Sequence, residues 1–290
     1  NTPRSLIYQN LASPTHKGTI LIKAYEDRAF LKMDEVQNSA RFGSKVLVTN
    51  DSDIFASAPG WGDNEGLISK YSLKEDGNYS LDYNISSPTL SSLFWGSSIF
   101  YAPNASKLFM GVPNADNYAG AFYDYSLPGG SISKVLEGDN MGDMHGWSSS
   151  SSMDKIFIGS LAVLDALGGY VSVLNSSVSP ASFLYDLRAS TAQFGNEFGY
   201  ALSSVRDHIV VGAPGEDDLI REDSGAVYLF KLDENSVMSS KILPSNRNNG
   251  DRFGHAVSLT EDLVLIGAPN GDGITANSGL VYVFSYDSEN

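Results

Sequence analysis

The 290-residue chain contains no cysteine. Disulfides, zinc–thiolate centres and thiol nucleophiles are therefore excluded, and the fold must hold through core burial and hydrogen bonding. No apolar run approaches the roughly 20 residues that cross a bilayer, so direct membrane insertion of this segment is not expected. Positive charge is scarce: 19 basic residues face 34 acidic ones, a formal net charge of −15. Such a chain repels nucleic-acid phosphates and anionic lipid heads and favours cations or basic partners. Nucleic-acid binding is accordingly not expected. An initiator Met and a basic leader are also missing, and the start Asn1-Thr2-Pro3-Arg4 reads as that of a mature or excised piece of something longer. Catalytic signatures are absent too. The four histidines, His16, His145, His208 and His255, share no metal-ligand spacing. There is no Gly-x-Ser-x-Gly elbow and no glycine-rich phosphate loop. The chain is not expected to be an enzyme.

What is present is a repeat. Phe198-Gly199, Gly212-Ala213-Pro214 and the run from Gly225 to Phe230 recur as Phe253-Gly254, Gly267-Ala268-Pro269 and Gly279 to Phe284. Weaker copies carry Phe42-Gly43 with Ser57-Ala58-Pro59 and Gly66 to Tyr71, and Trp95-Gly96 with Gly111-Val112-Pro113 and Gly120 to Tyr125. A further copy, His145-Gly146 with Gly159-Ser160-Leu161 and Gly169 to Leu174, has lost both the Phe and the Pro. The glycine-led strand occurs a sixth time at Gly18 to Lys23, and successive copies of that glycine are 48, 54, 49, 56 and 54 residues apart.

Each unit is a series of β-branched and aromatic runs separated by Gly, Pro, Asn, Asp and Ser, with no helical period. Four strands fit in about 50 residues: one at the aromatic-Gly pair, one before the Gly-Ala-Pro triple, one after the third glycine, and a weaker run such as Met238 to Leu243. Four-stranded antiparallel sheets repeated radially make a β-propeller. The expected fold is all-β, one domain over 1–290, with units near 1–40 (partial), 41–89, 90–140, 141–193, 194–251 and 252–290 (partial). Six blades are readable, and a seventh would require the full-length protein to continue. The aromatic before glycine is expected to fill the gap between blades, and the Gly-Ala-Pro to end the second strand in tight packing.

The pattern from Asp251 through Phe253-Gly254 and Gly267-Ala268-Pro269 to Phe284 resembles the FG-GAP repeat of integrin α-subunit propellers and related secreted or surface propellers. The resemblance runs over roughly residues 18 to 284. It implies an extracellular or cell-surface location and a role in adhesion or protein binding. Integrin-type repeats often carry an Asp-x-Asp-x-Asp-Gly calcium loop between the two motifs. The corresponding segments here, such as Asn50-Asp51-Ser52-Asp53 and Glu261-Asp262, supply too few ligands.

Strand alternation places the 1–2 and 3–4 connections on one face of the disc and the 2–3 and 4–1 connections on the other. Of five Asn-x-Ser sequons, at Asn50, Asn78, Asn84, Asn104 and Asn175, four fall in 1–2 or 3–4 turns. They are candidate glycosylation sites that leave the opposite face free for a partner. On that face the 2–3 loops each carry an Asp: Asp63, Asp116, Asp165, Asp217 or Asp218, and Asp272. These suit Asx-type loop bonds. The cluster Glu216, Asp217, Asp218, Glu222 and Asp223 is the candidate calcium site, with Glu216, Asp217, Asp218 and Asp223 as ligands. Trp61, Asp63, Asn64, Tyr118, Asp217, Asp218 and Arg221 are the candidate partner contacts, Trp61 and Tyr118 because large aromatics in turns suit binding hot spots or sugar stacking. Trp95 and Trp147 are expected in the core.

The leading expectation is a non-catalytic extracellular module that binds a protein through the 2–3/4–1 face. The alternatives are a lectin-like propeller that binds glycans at Trp61, a structural subunit of a surface filament, and an accessory domain of a secreted hydrolase.

Overall fold

The computed structural model describes residues 4–9, 17–22, 31, 38–88, 94–102, 106–164, 168–178, 180–191, 193–218, 220–232 and 237–286. Strands β1 (Arg4–Gln9) and β2 (Lys17–Ile22) form an antiparallel pair. Four sheets of four antiparallel strands follow in sequence order: β3 (Val46–Val48), β4 (Ile54–Ala58), β5 (Leu67–Leu73) and β6 (Tyr79–Ser86); β7 (Ser98–Ala102), β8 (Lys107–Val112), β9 (Ala121–Ser126) and β10 (Ile132–Glu137); β11 (Ser148–Ser152), β12 (Lys155–Ser160), β13 (Tyr170–Asn175) and β14 (Ser182–Leu187); and β15 (Ala201–Val205), β16 (His208–Ala213), β17 (Ala226–Leu232) and β18 (Val237–Ile242). A sheet of three closes the series: β19 (Ala256–Leu259), β20 (Leu263–Ala268) and β21 (Leu280–Ser285). Every pairing is between sequence neighbours, and the first strands β3, β7, β11, β15 and β19 lie side by side about a common axis. The architecture is a β-propeller of four-stranded blades.

The repeated residues are the seams between these blades. Trp95, Phe198 and Phe253 are fully buried. Phe253 packs on Val210 and Val227 of the preceding blade, and Trp95 on Phe55 and Ile68 of its predecessor. Burying each such ring stabilises the seam by about 2–3 kcal/mol. The glycines permit the approach. A Cβ on Gly111, Gly159 or Gly212 would collide with the backbone carbonyl of Gly146, Gly199 or Gly254 in the next blade. The glycine that leads the third strand, such as Gly225, lies against the backbone of the next blade's aromatic, and Gly225 forms a parallel bridge to Phe253.

The seams end where the described arc ends. Gly267, the counterpart of Gly212, meets among the described residues its own blade's Ala256, with Cβ at 3.4 Å. Val281 on β21 is 70% exposed, whereas its counterpart Val227 on β17 is 0% exposed. This contrast gives a direct check on the role of the triple's glycine. Gly212→Ala forces the blade of β15–β18 off the blade of β19–β21 and is expected to cost about 3 kcal/mol, while Gly267→Ala stays within about 0.5 kcal/mol of the parent. Thermal melting of the two variants distinguishes them, and equal melting temperatures would refute the seam assignment.

The divergent copy has its own internal logic. His145 occupies the seam position of Phe198 and Phe253 and is 1% exposed, with Nδ1 2.6 Å from the Ser160 hydroxyl. Ser160 in turn stands where the neighbouring blades have Val112, Ala213 and Ala268, all buried against their own blade's seam aromatic. A polar pair thus replaces an apolar pair. Burial pushes the imidazole down to about 3, and Nε2 has no hydrogen-bond partner among the described residues.

Candidate functional site

The residue that follows each seam glycine is turned toward the axis. Ser44, Ser97, Trp147, Tyr200 and His255 come from the starts of five consecutive blades and together line a central channel of about 710 Å³. That volume lies in the range of small-ligand pockets. Trp147, Tyr200 and His255 form a ladder, with ring centroids 5.6 Å apart for the first pair and 4.8 Å for the second. The Tyr200 hydroxyl lies 3.0 Å from His255 Nε2. Partial burial, and then the Arg252 charge, hold the His255 imidazole below its ordinary value.

A second ring sits at the mouth. Arg41, Phe94, Met144, Glu197 and Arg252 each precede the seam aromatic, and all five have positive φ, between 51 and 65°. This turn lets the next residue enter the seam and the one after the glycine reach the axis. Polar side chains support it: Asp143 accepts the Asn140 N–H at 3.0 Å, and Asp251 accepts the Asn248 N–H at 2.7 Å. Arg252 pairs with Glu197 at 2.5 Å and lies over the Tyr200 ring at 5.8 Å. Arg41 lies over Phe94 at 6.0 Å. Because Pro59, Pro113 and Asn114, which begin 2–3 loops, also line the channel, its mouth opens on the 2–3/4–1 face.

Trp147, expected in the core, is instead a channel-wall residue. One position beyond the seam glycine the strand has turned toward the axis, where the half-buried ring lies against Tyr200 of the next blade on the channel wall. The other aromatics expected on this face divide. Tyr118 is 51% exposed in a turn whose residues Asp116, Asn117 and Tyr118 are all left-handed. Trp61 is half-buried, with its indole nitrogen enclosed and without a hydrogen-bond partner. In its turn Gly62, Asp63 and Asn64 are left-handed, and the Asn64 carbonyl accepts the Phe94 N–H. The loop aspartates shape backbone in two ways. Asp63 and Asp116 supply left-handed residues, which Asp tolerates, and Asp272 accepts the Asn277 N–H at 2.9 Å. Asp165 lies outside the described residues.

The acidic loop also differs from expectation. Glu216 is 3% exposed and faces inward, where it pairs with Lys241 and accepts hydrogen bonds from the Tyr228 hydroxyl and from Thr191 Oγ1 at 2.7 Å. Asp218 accepts from Arg221 at 2.9 Å and pairs with Arg247 at 3.4 Å, and Asp217 accepts the Asp223 N–H at 2.7 Å. The carboxylates thus point to separate protein partners, and among the described residues no group of three converges as a metal would need. The donor set of Glu216, Asp217, Asp218 and Asp223 does not fit calcium, and Asp218 and Arg221 satisfy each other.

On the opposite face, Asn50 and Asn78 are exposed in the β3–β4 and β5–β6 turns and half-buried Asn175 ends β13, whereas Asn84 is exposed within the outer strand β6. Asn104 lies outside the described residues.

The FG-GAP repeat family matches residues 183–230 and 237–284. Each match begins on the outer strand of one blade and ends on the third strand of the next, so the sequence repeat straddles the seam it builds. Mouse integrin alpha-2 is 25% identical over 214 residues, covering 66% of this chain. The chain spans 18% of that relative's length. A solved structure of YjhT superposes with a TM-score of 0.50 at 12% identity, covering 78% of this chain and 72% of that one. At that identity the likeness is one of fold alone.

Proposed function

Because this chain is a β-propeller carrying FG-GAP repeats, we propose that it is a non-catalytic interaction module of an extracellular or cell-surface protein, binding a protein partner through the face of the 2–3 and 4–1 connections. The observation that carries this reading is the channel mouth. An aromatic ladder and two arginines, Arg41 and Arg252, converge there on one face, and Trp, Tyr and Arg are the residue types enriched in binding hot spots. The similarity to an integrin α subunit and the sequons on the other face support the same reading, the latter as candidate glycan positions that leave the mouth open. No helix among the described residues is long and apolar enough to cross a membrane. Saccharide stacking at Trp61 has less support, since that ring is half-buried in its own turn.

The cysteine-free sequence makes the test clean. Single substitutions Tyr118→Cys on the proposed face and Asp51→Cys on the other are each coupled to a polyethylene glycol maleimide. The conjugates are applied to an array of purified extracellular proteins. Blockage from Tyr118 with retention from Asp51 is expected. A ligand lost only when Asp51 carries the polymer would overturn the face assignment.

A further inference from the structure

Resting on that reading, we propose that the central channel receives a carboxylate: an acidic side chain of the partner protein enters the mouth beside Arg41 and Lys45 and lies against the Phe94, Trp147 and Tyr200 rings. The argument starts from charge. The chain has 34 acidic residues and 19 basic ones, yet the channel lining contains Arg41 and Lys45 and not one Asp or Glu. In a protein of net charge −15, a cavity that excludes carboxylates and admits cations is a local inversion of the overall field, and clefts of one sign focus that field.

These cations are also available. Most Lys and Arg side chains of the described blades are already paired, as Lys70 is with Asp53 and Asp82, Lys107 with Asp124, Arg221 with Asp218 and Arg252 with Glu197. Arg41 and Lys45 are exposed and form no ion pair among the described residues. The Arg41 guanidinium lies over Phe94, which orients it at the rim. The walls add the Phe94, Trp147 and Tyr200 rings and one uncommitted hydroxyl: Ser149 Oγ is enclosed with no hydrogen-bond partner among the described residues, whereas the Ser44 and Ser97 hydroxyls already donate to the Arg41 and Phe94 carbonyls at 2.7 Å. Glu197, beside the mouth, is neutralised by Arg252 and is not among the residues that line the channel. A cation entering the same aromatic cage would meet Arg41 and Lys45, so the lining selects for an anion.

Trp147 provides the readout, since of the three tryptophans it is the one that lines the channel. The full chain is titrated with a capped tetraglutamate peptide, a capped tetralysine peptide and free glucuronate, while tryptophan emission is followed. Trp147→Phe serves as the signal control. The glutamate peptide is expected to perturb the emission, and Arg41→Ala/Lys45→Ala, a change of two exposed side chains that leaves the core intact, is expected to weaken it about tenfold. Added salt should weaken it as well. Three outcomes overturn the proposal: no response to tetraglutamate at millimolar concentration, a response unchanged in the double variant, or a response to tetralysine or glucuronate in its place. If the proposal fails while polymer at Tyr118 still blocks array binding, the partner-binding face stands and only the chemistry assigned to the channel falls.

Discussion

Replacing His145 by Phe and Ser160 by Ala together is expected to raise the melting temperature, and to raise it most in mildly acid buffer. In the folded protein burial holds the imidazole down to about 3. In the unfolded chain it titrates near the ordinary value of about 6.5. Below that value the unfolded state binds a proton that the native state refuses, so stability falls as pH falls, by about 1.4 kcal/mol per unit, until the native group itself titrates. The penalty is absent above the unfolded value and complete near pH 3. From pH 7 to pH 5 it amounts to about 2 kcal/mol, or roughly 3 °C in Tm.

The double variant removes that term and the buried, unpartnered Nε2 with it, and it restores the apolar pairing seen between Phe198 and Ala213. The singles should do worse than their sum suggests. His145→Phe deprives the fully buried Ser160 hydroxyl of the imidazole, and Ser160→Ala deprives the imidazole of its one hydrogen bond, so the two positions couple. Melting curves for the parent, both singles and the double at pH 7 and pH 5 decide the matter. The other titrating groups contribute equally to all four proteins. A double variant that loses as much stability as the parent between the two pH values would sink the assignment.

The seams were legible in the sequence because they repeat. An aromatic-Gly pair, a Gly-Ala-Pro triple and a leading glycine must meet the same neighbours in each blade, so the same residue types recur at intervals near 50, and strand order and fold follow from them. The channel was not legible for the converse reason. The position after each seam glycine faces the channel, where side chains meet across blades but no fixed backbone partner holds the position to one residue type, and it varies through Ser44, Ser97, Trp147, Tyr200 and His255. What could have exposed it is the contrast itself, an invariant glycine followed by a position that runs from serine to tryptophan. Trp147 reads as core in the sequence because it directly follows the glycine of its copy. Only the register of β11 against β12, with Ser148 opposite Gly159, sets Trp147 at the entrance to the strand and on the axis.

Glu216 shows the same limit from the opposite direction, and it carries the second large effect. In sequence it opens a run of carboxylates and reads as one ligand among several. In the fold it points away from that run, because Lys241 on β18, Tyr228 on β17 and Thr191 on the connection from the preceding blade enclose it. Burial, with the Glu216 charge adding to it, pushes the Tyr228 phenol above its usual value, so the hydroxyl stays a donor to the carboxylate. Glu216→Ala removes the buried acceptor shared by Lys241, Thr191 and the Tyr228 hydroxyl, and the buried phenol is left without it. The expected cost is about 3 kcal/mol, roughly 5 °C in Tm. Glu216→Gln keeps an acceptor for Tyr228 and loses the ion pair, so it should cost about 1 kcal/mol. Calcium should leave the parent's melting temperature unchanged, since the best carboxylate of the loop is already committed to Lys241. A melting temperature that rises with calcium, together with a mild Glu216→Ala phenotype, would mean that the loop is a cation site after all and that the inward pairing contributes little to stability.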